Sequence, residues 1–234
     1  MYRELFGHPG WSMYNLIGVL GYGLVVLFFL CRSTWPAYNE SGKRPVVWVV
    51  LPLFVHLIGY TFAGKLVGPL LDRNTEFLGY VTVSSVGIAL ASGAVGVRPL
   101  RWLDDTTPLY LALASALKIG CFCSGCCNGL PWEYGLYNHL TEQREFPIQL
   151  VELMLYAALL WMILRCSVAP GRRFALFLVG YSLVRFVVQF FRADRDVFTS
   201  FHWISILFFG IGLVCWWVFP WLSNKSAPSE NQEM

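Results

Sequence analysis

The chain has 234 residues, of which 56% are hydrophobic, 17% aromatic and 13% charged. A soluble domain carries roughly 25% charge, about twice as much. With a mean hydropathy of +0.55 and a net charge of only +3, the composition excludes a disordered chain, a basic nucleic-acid binder and an ordinary soluble enzyme, and points to a polytopic all-α membrane protein.

About 20 apolar residues carry a helix across the hydrocarbon core, and backbone polar groups have no water partner there. Stretches free of Asp, Glu, Lys and Arg predict seven transmembrane helices. The first is Leu5–Cys31, with its apolar core from Ser12. The second is Pro45–Gly64 and the third Phe77–Val97. The fourth is Thr106–Leu117, extended past Lys118 to Phe122. The fifth, Phe146–Leu164, contains Glu152, and the sixth, Phe174–Phe191, contains Arg185. The seventh is Val197–Asn224, with its core at Trp203–Leu222. The first span is expected to be retained: its apolar run is too long for a signal-peptide core, and it lacks a basic leader and a small-residue cleavage site. Residues 1–224 then form one membrane domain, followed by a polar tail from Lys225 with a disordered composition.

Lys and Arg in the loops set the orientation. Arg32, Lys43, Arg44, Arg98, Arg101, Arg165, Arg172, Arg173 and Lys225 place nine on one side, against six (Arg3, Lys65, Arg73, Arg144, Arg192, Arg195) on the other. The richer side is assigned to the cytoplasm, which puts the N-terminus outside and the C-terminus inside. Ile119–Phe146 is then an extracytoplasmic loop holding four cysteines and a Trp132-Glu133-Tyr134 cluster. Long loops in compact proteins are often functional.

An ionisable side chain inside a membrane is costly and marks a working site by default. His56, Lys118, Glu152 and Arg185 are the candidates. In the sixth span, Tyr181, Arg185, Gln189 and Arg192 fall on one helical face. Fixed donors in that position suit an anion such as a lipid phosphate, which Arg binds in a bidentate way. The structural alternative is that Arg185 pairs internally with Glu152 and holds helices together, and that Arg192 snorkels to the interface. In the fifth span, Pro147 suits the first helical turn, and Gln149 and Glu152 share a face; Gln149 could equally serve an interhelical hydrogen bond. Lys118 could bind phosphate, act as a base, or snorkel to the headgroups. His56 reads first as a hydrogen-bonded structural histidine.

Cys121, Cys123, Cys126 and Cys127 lie within one short segment; Cys31, Cys166 and Cys215 look like ordinary apolar positions. Four thiolates could hold zinc, yet zinc ligands usually come as two separated pairs, and His139 is the only histidine in the loop. Cys123 and Cys126 form a CxxC spacing suited to redox exchange. The segment is also a tight Gly-rich turn that lets backbone approach a ligand. Composition does not choose among these three readings, and no metal ligands are assigned.

Three motifs carry a family resemblance. Lys118-Ile-Gly-Cys-Phe-Cys-Ser-Gly-Cys-Cys-Asn-Gly129 resembles the signature of prolipoprotein diacylglyceryl transferases, many of which begin it with Arg. Pro147-x-Gln149-Leu150-x-Glu152 resembles a Pro-x-Gln-Leu-Tyr-Glu segment. Tyr181-xxx-Arg185-Phe186-xx-Gln189-xx-Arg192 resembles a Tyr-xxx-Arg-Phe-xx-Glu-xx-Arg stretch. The resemblance covers Ala114–Asp196; before it, Tyr14 and Gly59-Tyr60 are unspecific matches. The departures mark a divergent member: Lys118 for the signature Arg, Gln189 for Glu, Val151 for Tyr, and Ser85-Val86-Gly87-Ile88 where the family has His-Gly-Gly-Leu.

The resemblance implies an enzyme of the bacterial plasma (inner) membrane. It would move the diacylglyceryl group of phosphatidylglycerol, drawn from the bilayer, to the lipobox cysteine of a preprolipoprotein, releasing glycerol phosphate without a metal or organic cofactor. Arg185, Lys118, Glu152 and Tyr181 are then expected in catalysis. Arg192, Gln189, Gln149, Gly120, Asn128, Gly129 and Tyr14 are expected to bind substrate. With the family's His absent, Glu152 and Lys118 are the candidate bases. The alternatives are a related lipid-group transferase with a different acceptor, a membrane thiol-disulfide oxidoreductase using Cys123 and Cys126, and a lipid-binding protein without turnover.

Overall fold

The computed structural model describes residues 16–17, 20–21, 23–24, 27, 54–55, 58–59, 76–95, 98–138, 141–193, 198 and 200–225. Isolated helical residues stand for the first two predicted spans; most of both spans, Tyr14, Cys31, His56, His139 and the tail beyond Lys225 lie outside the described residues. Five helices and a hairpin follow: α1 (Glu76–Val95), α2 (Pro99–Ser124), β1 (Pro131–Asn138), β2 (Gln143–Glu145), α3 (Ile148–Arg165), α4 (Arg172–Gln189) and α5 (Ser200–Lys225). By length and composition, α2, α3 and the Ser200–Ser223 part of α5 can cross a membrane, and Phe77–Gly93 is a shorter apolar helix. The protein is therefore a helical membrane protein, with a lipid-type outer face on α5 where Trp203, Leu207, Val214 and Trp217 are exposed.

The fourth predicted span begins too late. α2 starts at Pro99, a residue suited to the first helical position because it has no N–H to leave unpaired. A charge-free window stops at Asp104 and Asp105, yet Asp104 is buried and accepts hydrogen bonds from the backbone N–H groups of Gly171 (2.7 Å) and Phe174 (2.9 Å). Those are the orphan donors at the start of α4, whose own N-cap, Gly171, has no side chain. A carboxylate there also meets the positive end of the helix dipole. Asp104 thus caps α4 from another helix. In α3, Pro147 is the N-cap residue rather than part of the first turn.

The core lies between α1, α2, α3 and α4. Tyr110 is fully buried at its centre, stacked on Phe177 (5.3 Å between ring centroids) and edge-on to Tyr80 (5.7 Å). Its hydroxyl is 3.0 Å from Ser84 Oγ and 2.9 Å from Ser85 Oγ, which offsets the cost of burying it. The Cys-rich segment, expected as a loop, continues into a two-stranded antiparallel hairpin that pairs Leu136 with Glu145 and Asn138 with Gln143. Its strands carry no clean alternation, because Trp132, Tyr134, Leu136 and Tyr137 are all exposed.

Candidate active site

α2, α3 and α4 each bring one charged side chain to a common point. Lys118 is in the last two turns of α2, Glu152 is about one turn into α3 and Arg185 is about one turn from the end of α4. Glu152 is wholly buried. One of its oxygens lies 2.5 Å from Lys118 Nζ, and the other accepts from an Arg185 terminal nitrogen. Two cations share one carboxylate, so the triad keeps one surplus positive charge in a low-dielectric setting. The internal pair foreseen as the structural alternative exists, and Lys118 joins it instead of snorkelling.

Aromatic rings fix the geometry around the triad. Tyr156 stacks on Tyr181 (5.3 Å, 18°), and its hydroxyl is 3.4 Å from the same Glu152 oxygen that Arg185 meets. The guanidinium of Arg185 lies 5.1 Å from the Phe201 ring centroid, a cation–π contact from α5. Tyr156 was missed in the sequence. The signal for it in the sequence is its i+4 spacing from Glu152, which puts both side chains on one face of α3.

Gln189 continues the α4 stripe one turn on. It is 2% exposed, and among the described residues neither its amide oxygen nor its nitrogen has a hydrogen-bond partner. Burying such a group unpaired costs about 1–3 kcal/mol.

Arg192 is buried too, and its backbone is tied to the signature segment. Gly129 bridges Arg192; Leu130 N–H donates to Phe191 O (2.9 Å) and Ala193 N–H to Asn128 O (3.0 Å). Gly129 is required at this crossing: a Cβ there would stand 2.0 Å from the Phe146 carbonyl oxygen. The Asn128 side chain accepts from Asn138 Nδ2 (3.2 Å), which also reaches the buried Glu145 (3.1 Å). Asn128 and Gly129 therefore hold the loop to the end of α4. Gly120 is a buried helical position whose carbonyl accepts from Ser124 Oγ (2.7 Å).

The cysteine segment is folded back by its own backbone. Gly125 ends α2 at φ 66°, and Cys126 N–H donates to Cys121 O (3.1 Å), the bond that closes a left-handed helix end. Cys127 also sits at positive φ, 62°. For a residue with a Cβ this costs of order 1–3 kcal/mol and persists where surrounding contacts enforce it. Gln149 Nε2, donating to Cys126 O (2.8 Å), is one such contact. The result groups the thiols of Cys121, Cys126 and Cys127 within 4.8 Å of one another, with Cys121 and Cys127 sulfurs 3.7 Å apart. Cys123 stands outside that group, so the CxxC pair is not what the fold brings together. Hydrogen bonding with the Cys121 and Cys126 thiols holds the Cys127 thiol well below its ordinary pKa; burial opposes this, and the charges of Arg192 and Lys118 assist it.

The sequence profile of prolipoprotein diacylglyceryl transferase matches residues 76–218, which takes in all three site helices. The chain is 29% identical over 160 residues to phosphatidylglycerol–prolipoprotein diacylglyceryl transferase of Legionella pneumophila (strain Corby), a match covering 56% of this chain. It spans 62% of that relative's length. It is 27% identical over 243 residues to the enzyme of the same name from Verminephrobacter eiseniae, covering 90% of this chain and 85% of that one. It is 28% identical over 245 residues to the one from Clostridium tetani, covering 90% and 93%.

Proposed function

The chain belongs to the prolipoprotein diacylglyceryl transferase family, and on that premise we propose that it transfers the diacylglyceryl group of phosphatidylglycerol to the cysteine thiol of a prolipoprotein. The reading includes seven transmembrane helices, an extracytoplasmic N-terminus, a site near the outer face of the bacterial inner membrane and a lipobox segment as acceptor.

The observation that carries it is the buried Lys118–Glu152–Arg185 triad. Its surplus positive charge calls for an anion of one negative charge, and the phosphodiester of phosphatidylglycerol is one. Arg185 and Lys118 bind the phosphate and stabilise the charge that grows on it as the bond to the diacylglyceryl carbon breaks. Glu152 is a positioning residue, holding the two cations apart and aimed. Tyr181 and Tyr156 wall the carboxylate, and Gln189 hydrogen-bonds the glycerol hydroxyls of the headgroup. Arg192, Asn128 and Gly129 keep the signature loop over the same point. Gln149 and Gly120 support that loop through its backbone, and Tyr14, which lies outside the described residues, is kept as a candidate for binding the donor lipid.

In the step itself, the acceptor sulfur forms a bond to the glyceryl carbon. The carbon–oxygen bond to phosphate breaks, and its electron pair leaves with glycerol phosphate. The acceptor must first lose its proton, because the thiolate is the nucleophile.

The test is a reconstituted assay. Purified protein in phosphatidylglycerol liposomes receives a lipobox peptide, and mass spectrometry follows the diacylglyceryl adduct on its cysteine. The expected result is an adduct that disappears with Arg185→Ala. Retained phosphatidylglycerol binding with no adduct on any lipobox peptide rejects this acceptor.

A further inference from the structure

The three-thiol group of Cys121, Cys126 and Cys127 is distinct from the Lys118–Glu152–Arg185 triad. Its geometry suits a single soft metal ion. Zinc–sulfur bonds of about 2.3 Å in a tetrahedron set the sulfurs about 3.8 Å apart. Here one pair is at 3.7 Å and all three lie within 4.8 Å. The charge also fits. Three thiolates around a divalent ion leave one negative charge, and Lys118 and Arg192 both act electrostatically on Cys127. The cage is anchored at each corner: Cys121 on a helix, Cys126 by its N–H to the Cys121 carbonyl and by its own carbonyl, which accepts from the Gln149 side chain, and Cys127 by its left-handed backbone.

We propose that Cys121, Cys126 and Cys127 bind one zinc ion whose fourth position takes the thiolate of the acceptor. Three protein ligands are the pattern of a catalytic zinc site, and four that of a structural one. Among the described residues no fourth Cys, His, Asp or Glu joins the group. An arriving thiol replaces water on the ion and releases its S–H proton to solvent; no electrons are transferred. The ion lowers the thiol's pKa, which supplies the activation that a family histidine would otherwise give. The identity of that thiol rests on the function proposed above; the metal site itself does not.

The experiment uses the whole protein in phosphatidylglycerol nanodiscs, purified without chelators. Elemental analysis is expected to find one zinc per chain. Cobalt exchanged into the site is expected to give sulfur-to-metal charge-transfer absorption, which changes when a cysteine lipobox peptide is added and not with its serine version. Cys126→Ser, at an exposed position, is expected to lose the metal, as is Cys121→Ser; Cys123→Ser is expected to keep it. Metal-free protein carrying a Cys121–Cys127 disulfide, metal retained in Cys126→Ser, metal lost in His139→Ala, or absorption indifferent to the cysteine peptide each overturns the proposal. Zinc and a peptide-dependent spectrum without diacylglyceryl transfer would leave the site standing and reject the transferase reading. Full transfer by metal-stripped protein would do the opposite.

Discussion

Glu152 takes Lys118 on one carboxylate oxygen, at 2.5 Å, and Arg185 on the other, so three helices meet at a single buried anion. The fold and the proposed chemistry both depend on that carboxylate.

Glu152→Gln keeps the shape and removes the charge. It leaves two cations facing each other without a counterion, and breaking a buried pair in this way costs about 3–5 kcal/mol. The expected outcome is a clear fall in thermal midpoint in detergent and loss of diacylglyceryl transfer. Adding Lys118→Met to Glu152→Gln relieves the repulsion, so part of the stability returns while transfer stays absent. A double-mutant cycle measures the coupling. Additive effects on stability would mean that the two residues do not act on one another.

The two cations are predicted to differ. Lys118 meets its partner as a point charge, and the family signature often has Arg in its place. Lys118→Arg is therefore expected to keep transfer within a few-fold. Arg185 is wedged between Glu152 and the Phe201 ring and presents a planar fork. Arg185→Lys loses the fork and much of the stacking, with an expected fall of about tenfold or more in kcat/KM, worth about 1.4 kcal/mol per decade. Equal sensitivity at both positions would contradict these separate roles.

Gln189 offers a test that separates binding from stability. Its amide is buried and unpartnered among the described residues, so Gln189→Leu removes a desolvation cost of about 1–3 kcal/mol. The variant is expected to melt higher than the parent and to bind phosphatidylglycerol more weakly, read as a raised KM for the lipid with the acceptor saturating. A variant that is less stable and unchanged in KM would assign Gln189 to the packing alone.

The sequence made the triad legible because charge is conspicuous in an apolar chain: Lys118, Glu152 and Arg185 each interrupt a stretch that otherwise has none. Helix periodicity put Arg185 and Gln189 on one stripe of α4, whereas Arg192, expected on the same helical face, lies past the helix end in a bridge to Gly129. Three features were not legible for physical reasons. Asp104 looked like the edge of a span because nothing local shows that its hydrogen bonds go to Gly171 and Phe174, far along the chain. The hairpin's strands were hidden because exposed aromatic residues on both faces erase the alternation. The thiol group was hidden because spacing rules look for separated pairs, whereas here positive φ at Gly125 and Cys127 folds one short segment onto itself.

That fold-back gives a pH-dependent prediction for the metal-free, reduced protein. An ordinary cysteine has a pKa of about 8.5 and alkylates slowly below it, because only the thiolate reacts. Cys127 is held below that range by hydrogen bonds with Cys121 and Cys126. For Cys126, the hydrogen bond with Cys121 lowers the pKa, but the bond with Cys127 and burial outweigh it and push the group up. As pH falls from alkaline toward neutral, Cys126 protonates before Cys127. Iodoacetamide labelling followed by peptide mass spectrometry is therefore expected to modify Cys127 at about pH 7, where free thiols are mostly protonated, and Cys126 only at higher pH. This ordering runs against exposure, because Cys126 is the more accessible of the two. Labelling that simply follows exposure, with Cys126 first at every pH, would show that the three sulfurs do not share a proton network. Zinc added before the reagent is expected to protect both positions together, and Cys123 to be labelled independently of either.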